Sequence, residues 1–161
     1  MAWDRFHDIA GELDYPMLIV TTAADGEKAG CLVGFAAQCS IDPLRFMVWL
    51  SKKNHTYRVG READLLIVHF PDSTNRELAE LFGGETGDEI DKFSRCRWRA
   101  GPAGAPVLED CPRWFAGQIV ERSDTGDHMA FMLDPIDGEA GPWAGQLGFH
   151  QVMDIDPGHD A

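Results

Sequence analysis

The chain has 161 residues, 44% of them hydrophobic and 25% charged, the composition of an ordinary globular domain rather than a disordered segment. Lys and Arg number 14 against 27 Asp and Glu, a net charge of −13 whose field repels polyanions and excludes a dedicated nucleic-acid binder. No apolar run approaches the roughly 20 residues of a membrane span, and the opening MAWDRFHDIAGELDYP lacks the basic start and apolar core of a secretory signal, so one cytoplasmic domain over 1–161 is expected.

Trp3, Phe6, Ile9, Ala10 and Leu13 recur at helical spacing, so residues 1–15 read as an amphipathic helix ended by Pro16. Met17–Thr22, apolar and β-branched, is a strand; Ala23–Lys28 is a turn, and Ala29–Ser40 returns as the second strand of a hairpin. Ile41-Asp42-Pro43 turns the chain into Arg45–Leu50, the most strand-like stretch, on which Trp49 is expected in the core. Asn54 offers an N-cap to a helix over 54–63, and Asp64–Phe70 is again a strand. Ser73–Phe82 reads as a helix with Thr74 and Glu77 as capping box and Gly83-Gly84 as its stop. Residues 83–106 have no regular pattern, a length that within a compact domain marks a functional or lid segment, with Trp98 as a candidate pocket wall. Pro112–Glu121 and His128–Leu133 form a hairpin around Ser123–Asp127, followed by a loop over 134–145, a short strand near 147–153 and a tail over 154–161. Short turns between successive strands favour antiparallel pairing. The sum is an α+β, mainly β domain: a small antiparallel barrel of six or seven strands with peripheral helices.

Cys31, Cys39, Cys96 and Cys111 contain no pair at two-residue spacing, so neither a zinc knuckle nor a redox dithiol is expected, and all four read as small buried hydrophobes. Basic residues in an acidic chain mark places where positive charge was kept. Eight of the 14 fall in two short stretches, Lys52, Lys53, Arg58, Arg61 and Lys92, Arg95, Arg97, Arg99. The first opens a helix directly after a strand, where unpaired N–H groups together with Ser51, Lys52, Asn54 and Thr56 suit a phosphate. A P-loop, a Rossmann fingerprint and a G-x-S-x-G elbow are all missing. The six histidines are scattered without metal-ligand spacing, and no metal site is expected.

The order of these elements and the residues on them resemble the flavin reductase family of the FMN-binding split barrel, over about residues 15–153. Three passages carry the resemblance: Gly30 through Thr56, GCLVGFAAQCSIDPLRFMVWLSKKNHT; the Gly126-Asp127-His128 triplet; and Leu78–Gly83 followed by Asp91-Lys92-Phe93. It implies a small antiparallel split barrel, a homodimer, and an FMN (or FAD) in a groove at the subunit boundary, reduced by NADH or NADPH. In such proteins the strand matching Val33–Ser40 lies along the flavin ring, which gives Val33, Gly34, Ala37, Cys39 and Ser40 as its lining. Ser51, Lys52, Asn54 and Thr56 would hold the phosphate, His128 would sit at the flavin or nicotinamide as the candidate catalytic residue, and Lys92 and Phe93 would complete the pocket from the same or the other subunit. The family's hydroxyl residues early in the second strand are replaced here by Leu32, Gly34 and Phe35. The implied activity is an NAD(P)H-dependent flavin reductase, with a flavin-dependent monooxygenase as a further partner. Two alternatives stay open: a carrier or sensor that binds flavin, deazaflavin or haem without turnover, and a metal-dependent enzyme built from the scattered His and Asp residues.

Overall fold

The computed structural model describes residues 1–156. Helix α1 (Ala2–Gly11) leads into β1 (Leu18–Ala24) and β2 (Glu27–Val33), then β3 (Ala36–Ile41) and β4 (Leu44–Ser51). Helix α2 (His55–Gly60), β5 (Leu65–His69) and α3 (Arg76–Gly84) follow, then the short strands β6 (Trp98–Ala100) and β7 (Pro106–Leu108) and the long hairpin of β8 (Arg113–Asp124) and β9 (His128–Ala140). Seven strands form one sheet in the order β2-β1-β5-β8-β9-β4-β3, every neighbouring pair antiparallel; β6 and β7 pair apart from it.

The two ends of this sheet, β2 and β3, are consecutive in the chain. The sheet is therefore rolled, and its seam is the Gly34-Phe35 junction, where the Phe35 carbonyl accepts the Trp49 N–H at 2.9 Å. Inside lie Leu18, Val20, Cys31, Val33, Val48, Leu50, Leu66, Val68, Phe131 and Leu133, alternate residues of their strands as a period of two requires. The intervening Ile19 of β1 is equally buried, packed with Phe82 of α3 and Phe93 on the outside of the sheet, so both faces of β1 are covered.

Several expectations change. The single strand over 29–40 divides at Gly34-Phe35, because its halves pair with opposite ends of the sheet. The helix expected over 73–82 begins at Arg76, since the Thr74 N–H and hydroxyl both donate to the Asp72 carboxylate instead of capping. Gly83 and Gly84 complete its last turn, with Glu85 beyond; a Cβ on Gly83 would come within 2.7 Å of Leu32, so glycine here permits close helix-to-sheet packing. Strand β9 runs on to Ala140 through the expected loop. Residues 149–151 form a 3₁₀ turn rather than a strand, held to Pro16 by a single bridge at Gly148. The tail is partly structure: Asp154 pairs with Arg76 and Ile155 packs against the core, while 157–161 lie outside the described residues. Cys39 is exposed and Cys96 half-buried; only Cys31 and Cys111 match the buried role. Helix α1 stops at Gly11 and buries none of its residues.

Candidate functional site

Strands β4 and β9 are neighbours, and their register places Ser51, the last residue of β4, opposite His128, the first of β9. The turn that follows is tied down by short-range bonds. Ser51 accepts the Asn54 N–H on its carbonyl (3.0 Å) and the Lys53 N–H on its hydroxyl (3.4 Å). Asn54 caps α2 by accepting the Thr56 N–H at 2.8 Å. The Lys52 N–H donates to the Asp127 carbonyl (2.9 Å) and its ammonium reaches the Asp124 carboxylate (2.7 Å), a hydrogen bond that holds the Asp124 pKa below the ordinary range. The basic turn and the Gly126-Asp127-His128 triplet, far apart in sequence, are thus one structural unit. Helix α2 is only six residues long, so positive potential here rests more on Lys52 and Lys53 than on a helix dipole. Thr56 is turned inward, 1% exposed with its hydroxyl beside the Cys31 thiol, and in this arrangement supports the turn from behind rather than facing a phosphate.

Beside the unit opens a cleft of about 450 Å³ lined by Tyr15, Phe35, Ala36, Trp49, Asp127 and His128. The His128 ring lies 5.1 Å from the Phe35 ring, which meets Tyr15 edge-on at 5.8 Å. His128 Nδ1 is 2.7 Å from the Asp127 carboxylate, and this bond holds the Asp127 pKa down. A mainly apolar hollow of about 340 Å³ continues past Ala36 along Ala37, Gln38, Phe46 and Trp143. The volume and mixed apolar and polar lining of the cleft suit a ring-bearing ligand of small-molecule size.

The expected ring-lining residues do not share one surface. Gly34 sits half-buried at the seam, where an added Cβ would meet the Met17 sulfur at 3.3 Å. Ala37 and Cys39 are exposed on β3, and Ser40 follows a bulge after Gln38. Val33 is 4% exposed in the barrel core, where alternation along β2 sends its side chain inward with Cys31. Lys92 and Phe93 lie apart from this cleft within the protomer. Lys92 is 4% exposed and donates to the carbonyls of Gly30 (2.8 Å) and Phe82 (3.1 Å), and burial pushes its pKa down. Phe93 packs edge-on against Phe82 and Trp98, so these residues, and Trp98 with them, pin the 85–100 segment under β2 instead of joining His128 within the protomer.

Trp49 reverses its expectation in the other direction. It lines the cleft, between the buried Val48 and Leu50, and the same period of two that buries those neighbours turns it out. Phe35 and Tyr15 carry no sequence signal of their own, because the seam and the bridge at Pro16 bring them to the cleft. Among the described residues no group of three or more His, Cys, Asp and Glu could hold a metal ion, and no helix is long and apolar enough to cross a membrane.

The family model of the flavin reductase like domain matches residues 10–151. The chain belongs to that family. It is 30% identical over 136 residues to an FMN reductase (NADH) RutF 2 of Rhizobium rhizogenes, covering 82% of this chain and 76% of that one. It is 28% identical over 132 residues to the 4-hydroxyphenylacetate 3-monooxygenase reductase component of Salmonella typhimurium, covering 80% and 76% respectively. The crystal structure of a flavin reductase domain protein from Arthrobacter sp. FB24 superposes with a TM-score of 0.83 at 21% identity, over 92% of this chain and 91% of that one, a likeness of fold. The split antiparallel barrel expected from the sequence is the fold of this family member.

Proposed function

We propose that the protein is an NAD(P)H-dependent flavin reductase that binds FMN and transfers hydride to it from a reduced nicotinamide. One observation carries the reading: in a chain matched to this family over 10–151, a basic turn and a histidine are joined across β4 and β9 beside an aromatic cleft. Bound FMN would supply a ring that takes up hydride at N5, chemistry no side chain can provide. The protein's own residues have simpler work. Ser51, Lys52, Lys53 and Asn54 hold the phosphate. Phe35, Ala36 and Trp49 offer apolar surface for ring stacking and exclude water, with Ala37 continuing the wall along β3. His128, oriented by Asp127, holds charge at the mouth of the cleft. FAD can use the same phosphate contacts.

The finer partners belong to the same reading. Trp3, Phe6 and Ile9, each at least 65% exposed, line an α1 face that nothing among the described residues covers, which supports a homodimer. Four free thiols support a cytoplasmic location. The relative named as a monooxygenase reductase component supports a flavin-dependent monooxygenase as recipient of the reduced flavin. Anaerobic titration of the FMN-loaded protein with NADH or NADPH, followed by visible absorption, tests the activity. Bleaching of the flavin bands is expected. Bands that persist would make the protein a carrier, and failure to take up FMN would end the proposal.

A further inference from the structure

Immediately after the N-cap Asn54, the His55 ring is 15% exposed and clamped between two carboxylates. Its Nε2 lies 3.1 Å from Glu27 at the start of β2, and its Nδ1 lies 3.3 Å from Asp88 in the 85–91 segment. Gly87 makes room for it: a Cβ there would come within 2.6 Å of the ring. One imidazole thus joins three separate pieces of chain at the base of the turn read above as the phosphate cradle. Arg58, one helical turn later, also pairs with Asp88, so that segment stays attached to α2 when the histidine lets go. Lys28 from β2 and Glu89, Asp91 and Lys92 from the 85–94 segment line, with His55, a second cleft of about 340 Å³, separate from that at His128; Lys92 is committed to the Gly30 and Phe82 carbonyls.

A neutral imidazole carries one N–H and can donate to one of the two carboxylates, whereas the imidazolium donates to both. We propose that His55 is a positioning residue for the flavin phosphate: its imidazolium, held between Glu27 and Asp88, fixes the Ser51–Thr56 turn, and the grip relaxes when the ring loses its proton. The inference rests on reading that turn as the phosphate cradle. Preference for a phosphorylated flavin therefore weakens when that proton is lost. The ligand works in the opposite sense, because its phosphate takes on its second charge near about pH 6. Comparison with variants removes that contribution, which is common to all of them.

Fluorescence-quench titrations of the full-length protein with FMN and with riboflavin, at about pH 6 and about pH 8, compare wild type with His55→Gln and Glu27→Gln. Losing one partly exposed charge-assisted contact corresponds to roughly a threefold change in affinity. The wild-type FMN-over-riboflavin preference is expected to fall between the two pH values by about that factor relative to His55→Gln. Glu27→Gln, at a side chain 60% exposed and tolerant of change, should flatten the profile in the same direction and carries the comparison if His55→Gln does not fold. Parallel profiles in wild type and variants overturn the inference and leave the cradle standing. Equal affinity of the wild type for FMN and riboflavin at both pH values overturns the cradle, and this inference with it.

Discussion

His69 offers the sharpest test of the physical reasoning, because the structure specifies its protonation state. It is 0% exposed at the end of β5, with Nδ1 3.0 Å from the Ile19 carbonyl oxygen and Nε2 accepting the Leu108 N–H at 3.0 Å. One ring nitrogen must donate and the other accept, so the ring is neutral with its proton on Nδ1, stapling β1, β5 and β7 together. Protonation would set an N–H against an N–H in a site without water-like screening. Burial accordingly lowers the pKa from 6.5 to about 4. At 1.36 kcal/mol per pH unit, that gap is worth about 3 kcal/mol, a large share of a typical domain's stability. As pH falls through 6.5 the unfolded ring binds a proton and the folded ring does not, so stability drops until the folded ring titrates near 4 and the slope ends. The contribution is complete above 6.5. Urea denaturation of wild type and His69→Gln at a series of pH values measures it, since glutamine offers a donor and an acceptor but cannot take up the proton. The variant is expected to start less stable at neutral pH and to lack this slope, so that the two curves converge towards pH 4. Asp72, Asp88, Asp124, Asp127 and Asp154, whose pKa values lie below their ordinary 3.8, lose their contribution at still lower pH and do so in both proteins. Parallel curves between pH 6.5 and 4 would refute the argument.

Three further outcomes follow from the site and its supports. The double change Lys52→Ala, Asn54→Ala should weaken FMN binding by at least about tenfold in equilibrium dialysis while leaving riboflavin nearly unaffected, as expected from losing a charge and a helix cap; unchanged FMN affinity contradicts the cradle. Lys92→Met should cost about 2 kcal/mol in thermal or chemical unfolding, because the Gly30 and Phe82 carbonyls lose their partner. A loss of flavin affinity without loss of stability would return Lys92 to the ligand site. Trp3→Glu with Phe6→Glu should convert a dimer to a monomer in light scattering with little change in protomer stability, since neither side chain is buried within the chain; a monomeric wild type would remove the homodimer.

How much could be read before folding depended on how local the cause was. Strand alternation, the Asp25-Gly26 turn, the Asn54 cap and the clustering of lysines against an acidic background are set by neighbours a few residues apart, and they yielded the barrel class and the phosphate turn; the candidate His128 came from the resemblance to the family. Val33, Trp49, Lys92 and Phe93 depended on contacts made across the sheet. The sequence shows that Ala29–Ser40 favours strand; it does not show that Gly34-Phe35 breaks it, because the break is needed only when the two halves pair with opposite edges of a rolled sheet. That closure points Val33 into the core, brings Phe35 and Tyr15 to the cleft, and puts β4 beside β9 so that Ser51 faces His128. Burial of Lys92 is decided similarly, by two carbonyls from β2 and α3 that come together only once the helix has docked on the sheet. Pattern and charge along the chain determined which chemistry was available; the long-range pairing of strands decided which side chains could take part, since a side chain's direction depends on the register into which its strand is finally locked.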